Sequence, residues 1–409
     1  MFYVGIDIAK QIHTVAVSLE DGTRQGKCIS FKNNDEGFNK LLNYLNELEV
    51  DKQNCIIAME STGHYWIALY SFLLKKDYPV ALINPIQTSA FRKASTVRKT
   101  KTDIVDAFLI ADFARFKHLE PTSVSPEIVP GLKHLTRYRT ELVEERTRFK
   151  NKAIAISDRI FPELIGLLGS ISNATTKAVM KEYPTPKIVI KTDIRTLTKT
   201  IKEASHGRLG RKTAEKLKSL AKKSVGVSFD ADILADELKS ILSIIDKLDD
   251  EIKKMDVKIA DKIKDTVAEL LLTIPGVGPI NASSIIAEIG VPENFKNVKK
   301  LIAFAGIDCT KSQSGQFESE RAHMSKRGSG YLRYALMYAA DQARRHDSYF
   351  GDYYDSMKAR GKHHFVALSG VARKLAAVIL VILKEQRPYE PRPSIQSVQA
   401  QKLKEQAAS

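Results

Sequence analysis

Residues 2–9, FYVGIDIA, and 13–20, HTVAVSLE, are short runs rich in β-branched residues. Asp21-Gly22 marks a turn, and RQGKCISF follows it, so this stretch predicts a three-strand meander. Over 36–49 the period changes: Phe38, Leu41, Leu42 and Leu45 recur at helical spacing. NCIIAME and PVALINP are short apolar runs bounded by polar or turn residues, as buried strands are, and the helix-like YWIALYSFLLKK lies between them. Three strands, then helices alternating with strands, predict an α/β domain over residues 1–126.

From about 127 the strand signal fades. Leu135, Leu142, Phe149 and Ile156 recur every seven residues. Leu234, Leu238, Ile241, Ile245, Leu248, Ile252, Met255 and Ile259 alternate spacings of four and three, the a/d pattern of a coiled coil, among Lys, Asp and Glu. The two stretches are expected to pair, within the chain or between chains. Between them, KEASHGRLGRKTAEKLKSLAKK holds eight Lys and Arg against two Glu and reads as a helical insert. Such a run is either a solvated face or a nucleic-acid contact. The expected organisation is therefore a coiled-coil region with a basic insert over 127–265, an all-helical domain over 266–387 and a disordered tail over 388–409.

Charge narrows the class of partner. The net charge is +16 and the isoelectric point about 9.5, which favours a polyanion, most simply nucleic acid. A membrane is the competing anionic surface. No terminal basic amphipathic helix suggests one, no apolar run reads as long enough to span a bilayer, and MFYVGIDIAK begins as a strand, not as a signal peptide. Cys28, Cys55 and Cys309 are far apart and lack metal-ligand spacing, as expected of a reduced, cytoplasmic protein.

Four acids stand out. Asp7 lies in the first strand, Glu60 ends the apolar run CIIAME, and Asp103 and Asp106 are three apart in TDIVDAFLIADFARF, on one face if that stretch is helical. Taken singly, each has a structural reading: Asp7, between FYVGI and IA, suits burial, and Thr102 as a cap would leave Asp103 merely favouring the helix N-terminus. Brought together, they would offer hard oxygen ligands to Mg²⁺ or Mn²⁺. Arg92, Lys93, Arg98, Lys99 and Lys101 precede the helix with no acid among them, and would suit a phosphodiester.

YVGIDIAK, AMESTGHY, LINP and RKTKTDIVDAFLIADF resemble the N-terminal RuvC-like (RNase H fold) domain of DEDD-type bacterial insertion-sequence transposases. That family includes the pilin-gene invertase and the bridge-RNA-guided recombinases. LLLTIPGVGPINASSIIAEIG, FAGIDCTKSQSGQF and MSKRGSGYLRYALMYAA resemble its C-terminal transposase domain. Both ends match in the right order, and much of 160–230 does not. The resemblance implies that Asp7, Glu60, Asp103 and Asp106 are the DEDD metal set. It further implies double-stranded donor and target DNA as substrates, a structured noncoding bridge RNA as guide, and a homo-oligomer.

In IPGVGP, Gly276 and Gly278 permit a tight turn whose following helix can face a phosphate through backbone N–H groups, a helix-hairpin-helix reading; packing between helices is the plainer one. The polar loop TKSQSGQFES carries Ser312 and Ser314, and chemistry alone does not separate them as nucleophiles. The resemblance places the DNA-attacking serine at Ser314. Lys326, Arg327 and Arg333 follow and would neutralise phosphates. Two rivals stand beside a transposase: a metal-dependent nuclease or junction resolvase that uses water, and a non-catalytic nucleic-acid-binding scaffold.

Overall fold

The computed structural model describes residues 1–61, 63–95, 102–122, 128–264, 266–310, 313–314, 317–318 and 323–393. The chain divides into two compact units, 1–124 and 125–409.

Unit 1 is built on one five-stranded sheet. Strands β1 (Phe2–Asp7), β2 (Ile12–Leu19) and β3 (Arg24–Lys32) form the antiparallel meander; helix α1 (Asp35–Glu47) follows. Strands β4 (Cys55–Glu60) and β5 (Val80–Ile83) flank helix α2 (Trp66–Lys75) and pair in parallel, giving the order β3-β2-β1-β4-β5. Helices α3 (Pro85–Ser95) and α4 (Asp103–Lys117) complete the unit. The period of two in β1 sorts its side chains. Val4 and Ile6 join the core with α1 and α2, whereas Tyr3 faces α4 with Ile56, Ala58, Ala81 and Ile83. Gly5 shares Tyr3's face, and α4 lies directly on it: a β-carbon there would sit 2.1 Å from the Ala107 carbonyl oxygen and 2.4 Å from the Ala111 nitrogen. Neither backbone atom can yield without moving the helix. Gly5→Ala is expected to destabilise unit 1 by at least about 3 kcal/mol, the upper part of the usual overpacking cost. An unchanged thermal unfolding midpoint would show that α4 does not pack this closely.

Unit 2 is helical over most of its length. Helices α5 (Ile128–Ile160) and α11 (Ala231–Lys262) form an antiparallel hairpin. The predicted a/d stripe, Leu234 to Ile259, is buried apart from half-exposed Leu248. Its middle packs on Leu142, and Arg139–Asp256 and Arg146–Asp249, both 2.8 Å, run antiparallel along the seam. Of the two pairings that the heptads allowed, the one within the chain is observed. Helices α6 (Glu163–Leu168), α7 (Ala174–Glu182), α8 (Pro186–Lys191), α9 (Ile194–Ala204) and α10 (Arg211–Lys222) form the insert at the hairpin's far end, around Phe161, Val179, Leu197 and Leu217.

The other end of the hairpin carries a separate core. After a 3-10 turn (Val267–Thr273) come α12 (Pro279–Ile289) and α13 (Val298–Ala305). Four two-residue strands follow, β6 (Cys309–Thr310), β7 (Gln313–Ser314), β8 (Phe317–Glu318) and β9 (His323–Met324), and then α14 (Gly330–His346), α15 (Ser348–Ala359) and α16 (His364–Glu385). Three expectations change here, one being the start of the disordered tail: Tyr389 is buried in this core, and its hydroxyl donates to Asp347 at 2.9 Å. The domain is not all-helical, because ladders this short show no alternation in sequence. And α16 is long and apolar enough to cross a membrane by length and composition, contrary to the reading that no run was. Of its most apolar window 72% is buried, so in this fold it is a central core helix.

Candidate active site

Asp7 and Glu60 end two strands that are hydrogen-bonded in parallel. The register runs from Phe2–Cys55 to Ile6–Met59, so the two acids are the next pair along, and alternation points both to the face that α4 covers. Helix α4 runs opposite to β1. Its later residues Ile110, Phe113 and Ala114 pack with Tyr3 and its middle lies over Gly5, so its first turn is directed toward the strand's Asp7 end. Thr102 caps that turn, accepting from the Val105 N–H at 3.3 Å. Asp103 is exposed in the first turn and Asp106 is buried. The i, i+3 spacing thus places them in adjoining positions with different environments.

Helix α3 meets two of the four carboxylates. The Thr88 hydroxyl donates to Glu60 Oε1. One turn on, Arg92 Nη2 lies 2.6 Å from Asp106 Oδ1. Thr88 and Arg92 are four apart and so share one helix face. Arg92, expected to meet phosphate, is instead committed to a candidate metal ligand, because a buried carboxylate without a cation is costly. Among the described residues no group of three or more His, Cys, Asp or Glu is gathered closely enough to hold a metal ion. The donor chemistry suits a hard divalent cation, and the guanidinium supplies the positive charge at Asp106. Lys93 is exposed at the end of α3; Arg98, Lys99 and Lys101 lie outside the described residues.

In unit 2, Ser314 ends β7, whose ladder with β8 pairs it with Phe317. Cys309–Met324 and Thr310–His323 close the base of this loop. Ser312 lies outside the described residues. The Ser325 hydroxyl donates to the Asp308 carboxylate, and the Ser325 N–H donates to the Asp308 carbonyl at 2.9 Å, so Ser325 braces the loop base. Lys326 and Arg327 are exposed beside it. Arg333 is not a free cation as expected: its Nη1 donates to the Ala305 carbonyl at 3.2 Å, holding the C-terminus of α13.

The IPGVGP turn is tight as predicted. Gly276 has φ +83°, and a β-carbon there would press on Gln342; Gly278 immediately precedes Pro279 and α12. Its first limb is a 3-10 turn, not an α-helix. The turn borders a cleft of about 490 Å³, lined also by Arg137, Tyr331, Tyr334 and Tyr338. Beneath it Glu288, 3% exposed, accepts two bonds from Arg137, 2.6 and 2.9 Å, and one from Ser329 at 2.8 Å. Burial alone would push the Glu288 carboxyl up. The Arg137 bonds and the nearby Lys133 charge outweigh burial and hold it below the usual range. This network ties α5, α12 and the start of α14 together. Sequence reading missed Thr88 and Glu288, since only tertiary contact marks them out.

Two segments match known families. Residues 4–162 match a transposase family of the IS110 DEDD type, and residues 268–355 match the IS116/IS110/IS902 transposase family. The chain is 25% identical over 403 residues to an uncharacterized 44.8 kDa protein of insertion element IS116 from Streptomyces clavuligerus, covering 96% of this chain and 97% of that one. It is 23% identical over 395 residues to the pilin gene-inverting protein of Moraxella bovis, covering 95% and 98%. An uncharacterized 43.6 kDa protein of insertion element IS110 from Streptomyces coelicolor is 26% identical over 300 residues, 72% of this chain and 73% of that one.

Proposed function

We propose, from the premise that this chain carries both transposase domains of the IS110/IS116 family and is homologous to pilin gene-inverting proteins and insertion-sequence transposases, that it cuts and rejoins donor and target DNA through a covalent link to Ser314. The observation that carries this reading is the arrangement in unit 1: Asp7 and Glu60 end neighbouring parallel strands, and α4, laid on Gly5, directs its acidic first turn toward them. The strand order, with its antiparallel meander followed by parallel strands, supports reading unit 1 as a RuvC-like, RNase H fold domain.

Asp7, Glu60, Asp103 and Asp106 would hold Mg²⁺ or Mn²⁺, since DEDD-type transposases are as a group divalent-metal dependent. Such an ion, when bound, polarises a scissile phosphate and eases deprotonation of an attacking hydroxyl. The chain's own residues do the rest. Ser314 Oγ attacks phosphorus and the P–O3′ bond breaks, leaving a 5′-phosphoserine and a free 3′-hydroxyl that takes up a proton. Attack by an incoming 3′-hydroxyl reverses the step, rejoins the strand and returns the serine. The link conserves bond energy, so no nucleotide triphosphate is required. Exposed Lys93, Lys326 and Arg327 meet backbone phosphates, and the N–H groups that open α12 after Gly278 serve a helix-hairpin-helix contact.

A structured bridge RNA selects the donor and target sites, and a dimer or tetramer joins the ends in the bacterial cytoplasm, at the nucleoid. The test is incubation with labelled element-terminus DNA, the RNA transcribed from the element's flank, and Mg²⁺. An SDS-resistant protein–DNA adduct that disappears with EDTA is expected. Metal-dependent nicks without any adduct would favour the hydrolytic nuclease instead.

A further inference from the structure

Residues 160–230 hold 14 Lys and Arg against 6 Asp and Glu, a surplus of 8, half of the chain's net charge of +16. The segment from 163 to 267 lies outside both matched families. The fold sorts this charge. On α9, Arg195, Lys199 and Lys202 follow at spacings of four and three, on the face opposite buried Leu197 and Ile201. On α10, Lys212 and Lys216 lie four apart, opposite buried Ala214, Leu217 and Ala221, and Lys223 caps the helix C-terminus. All six are exposed, and among the described residues none forms an ion pair. Glu215, the acid nearest the second stripe, is taken by Arg211 at 2.8 Å. Helices α9 and α10 pack on each other, so the stripes occupy neighbouring helices.

We propose that this pair of stripes is a docking surface for the phosphate backbone of duplex DNA, bound away from the serine loop. The proposal rests on the reading above that duplex DNA is the substrate. The α9 stripe rises about 10 Å along its helix, about three phosphate steps of one strand at roughly 3.4 Å each, and the helical part of the α10 stripe about 6 Å. Segment 186–222 contains no Phe, Tyr or Trp, so it offers no platform on which unstacked bases could lie. That favours an intact duplex over a single strand. The insert is also held firmly. Lys177 bonds Asp246 and Asp249, both at 3.0 Å, and Lys181 bonds Asp246, fixing α7 to the hairpin. Between Leu132 in the C-terminal core and Ile156 in the insert's core, α5 rises about 36 Å, roughly ten base-pair steps. The insert therefore reaches DNA about a helical turn from what the serine-loop domain touches.

The test is fluorescence anisotropy with a labelled 40-base-pair DNA duplex over a range of salt, comparing the full chain with Lys199→Gln/Lys202→Gln/Lys212→Gln/Lys216→Gln. Four lost phosphate contacts should make the negative slope of log K against log salt shallower by about 3.6. An unchanged slope and affinity would overturn the proposal, as would a loss confined to duplex RNA, to a single strand or to anionic vesicles. Lysine acetylation of the unaltered protein, mapped by mass spectrometry, gives a second reading. Bound duplex should shield Lys199, Lys202, Lys212 and Lys216, and equal labelling with and without DNA would also overturn it. Neither measurement requires cleavage, so absence of a Ser314 adduct would leave this surface standing, and its failure would leave the serine chemistry standing.

Discussion

Asp106→Asn is expected to lower strand cleavage by at least about 100-fold while DNA binding and the fold persist. Loss of an outer-shell group around a metal already costs 10–100-fold, and Asp106 would be a direct ligand. The asparagine keeps the shape of the side chain that Arg92 meets at 2.6 Å, so the change is gentler on the fold than Asp106→Ala, which would leave a largely buried guanidinium unpaired. Full cleavage by folded Asp106→Asn protein would remove Asp106 from the site. Arg92→Ala should act in the opposite direction on metal. It removes the cation that competes for Asp106, so Mn²⁺ measured by calorimetry should bind about tenfold tighter, the equivalent of about 1.4 kcal/mol. The same variant should melt lower without metal, by the cost of one unpaired buried carboxylate, and should regain more on adding Mn²⁺ than the unaltered protein does. Unchanged or weaker Mn²⁺ binding would show that Arg92 does not guard a metal ligand.

What could be read from sequence follows from where the physical signal is local. The β-branched runs of β1 and β2, the short apolar runs of β4 and β5 and the heptads of α11 each record local burial, and the corresponding elements are observed. Thr102 as a cap was legible because capping acts within one turn. Partners distant along the chain were not. Arg92 in a basic run looks like a phosphate ligand, and nothing local ties it to Asp106. Arg333 looks like a free cation until α13 is placed beside it. Glu288 within an apolar helix gives no hint that Arg137, 151 residues away, neutralises it. The heptads indicated a paired helix but carried no information on whether α5 of the same chain or of another would fill the seam.

Ser314→Ala is expected to abolish both adduct and recombinant product while binding of DNA and RNA continues, because no other hydroxyl would replace the lost Oγ in line with the phosphate. Ser312→Ala should retain the adduct. The loop argues for this division only through the resemblance of FAGIDCTKSQSGQF, since the two serines are chemically alike. The most direct measurement is therefore peptide mapping of the adduct formed with labelled terminus DNA, after nuclease trimming, by tandem mass spectrometry. The account predicts a nucleotide remnant on Ser314, joined through a 5′-phosphate. A remnant on Ser312, or cleaved DNA with no protein-linked strand, would contradict it.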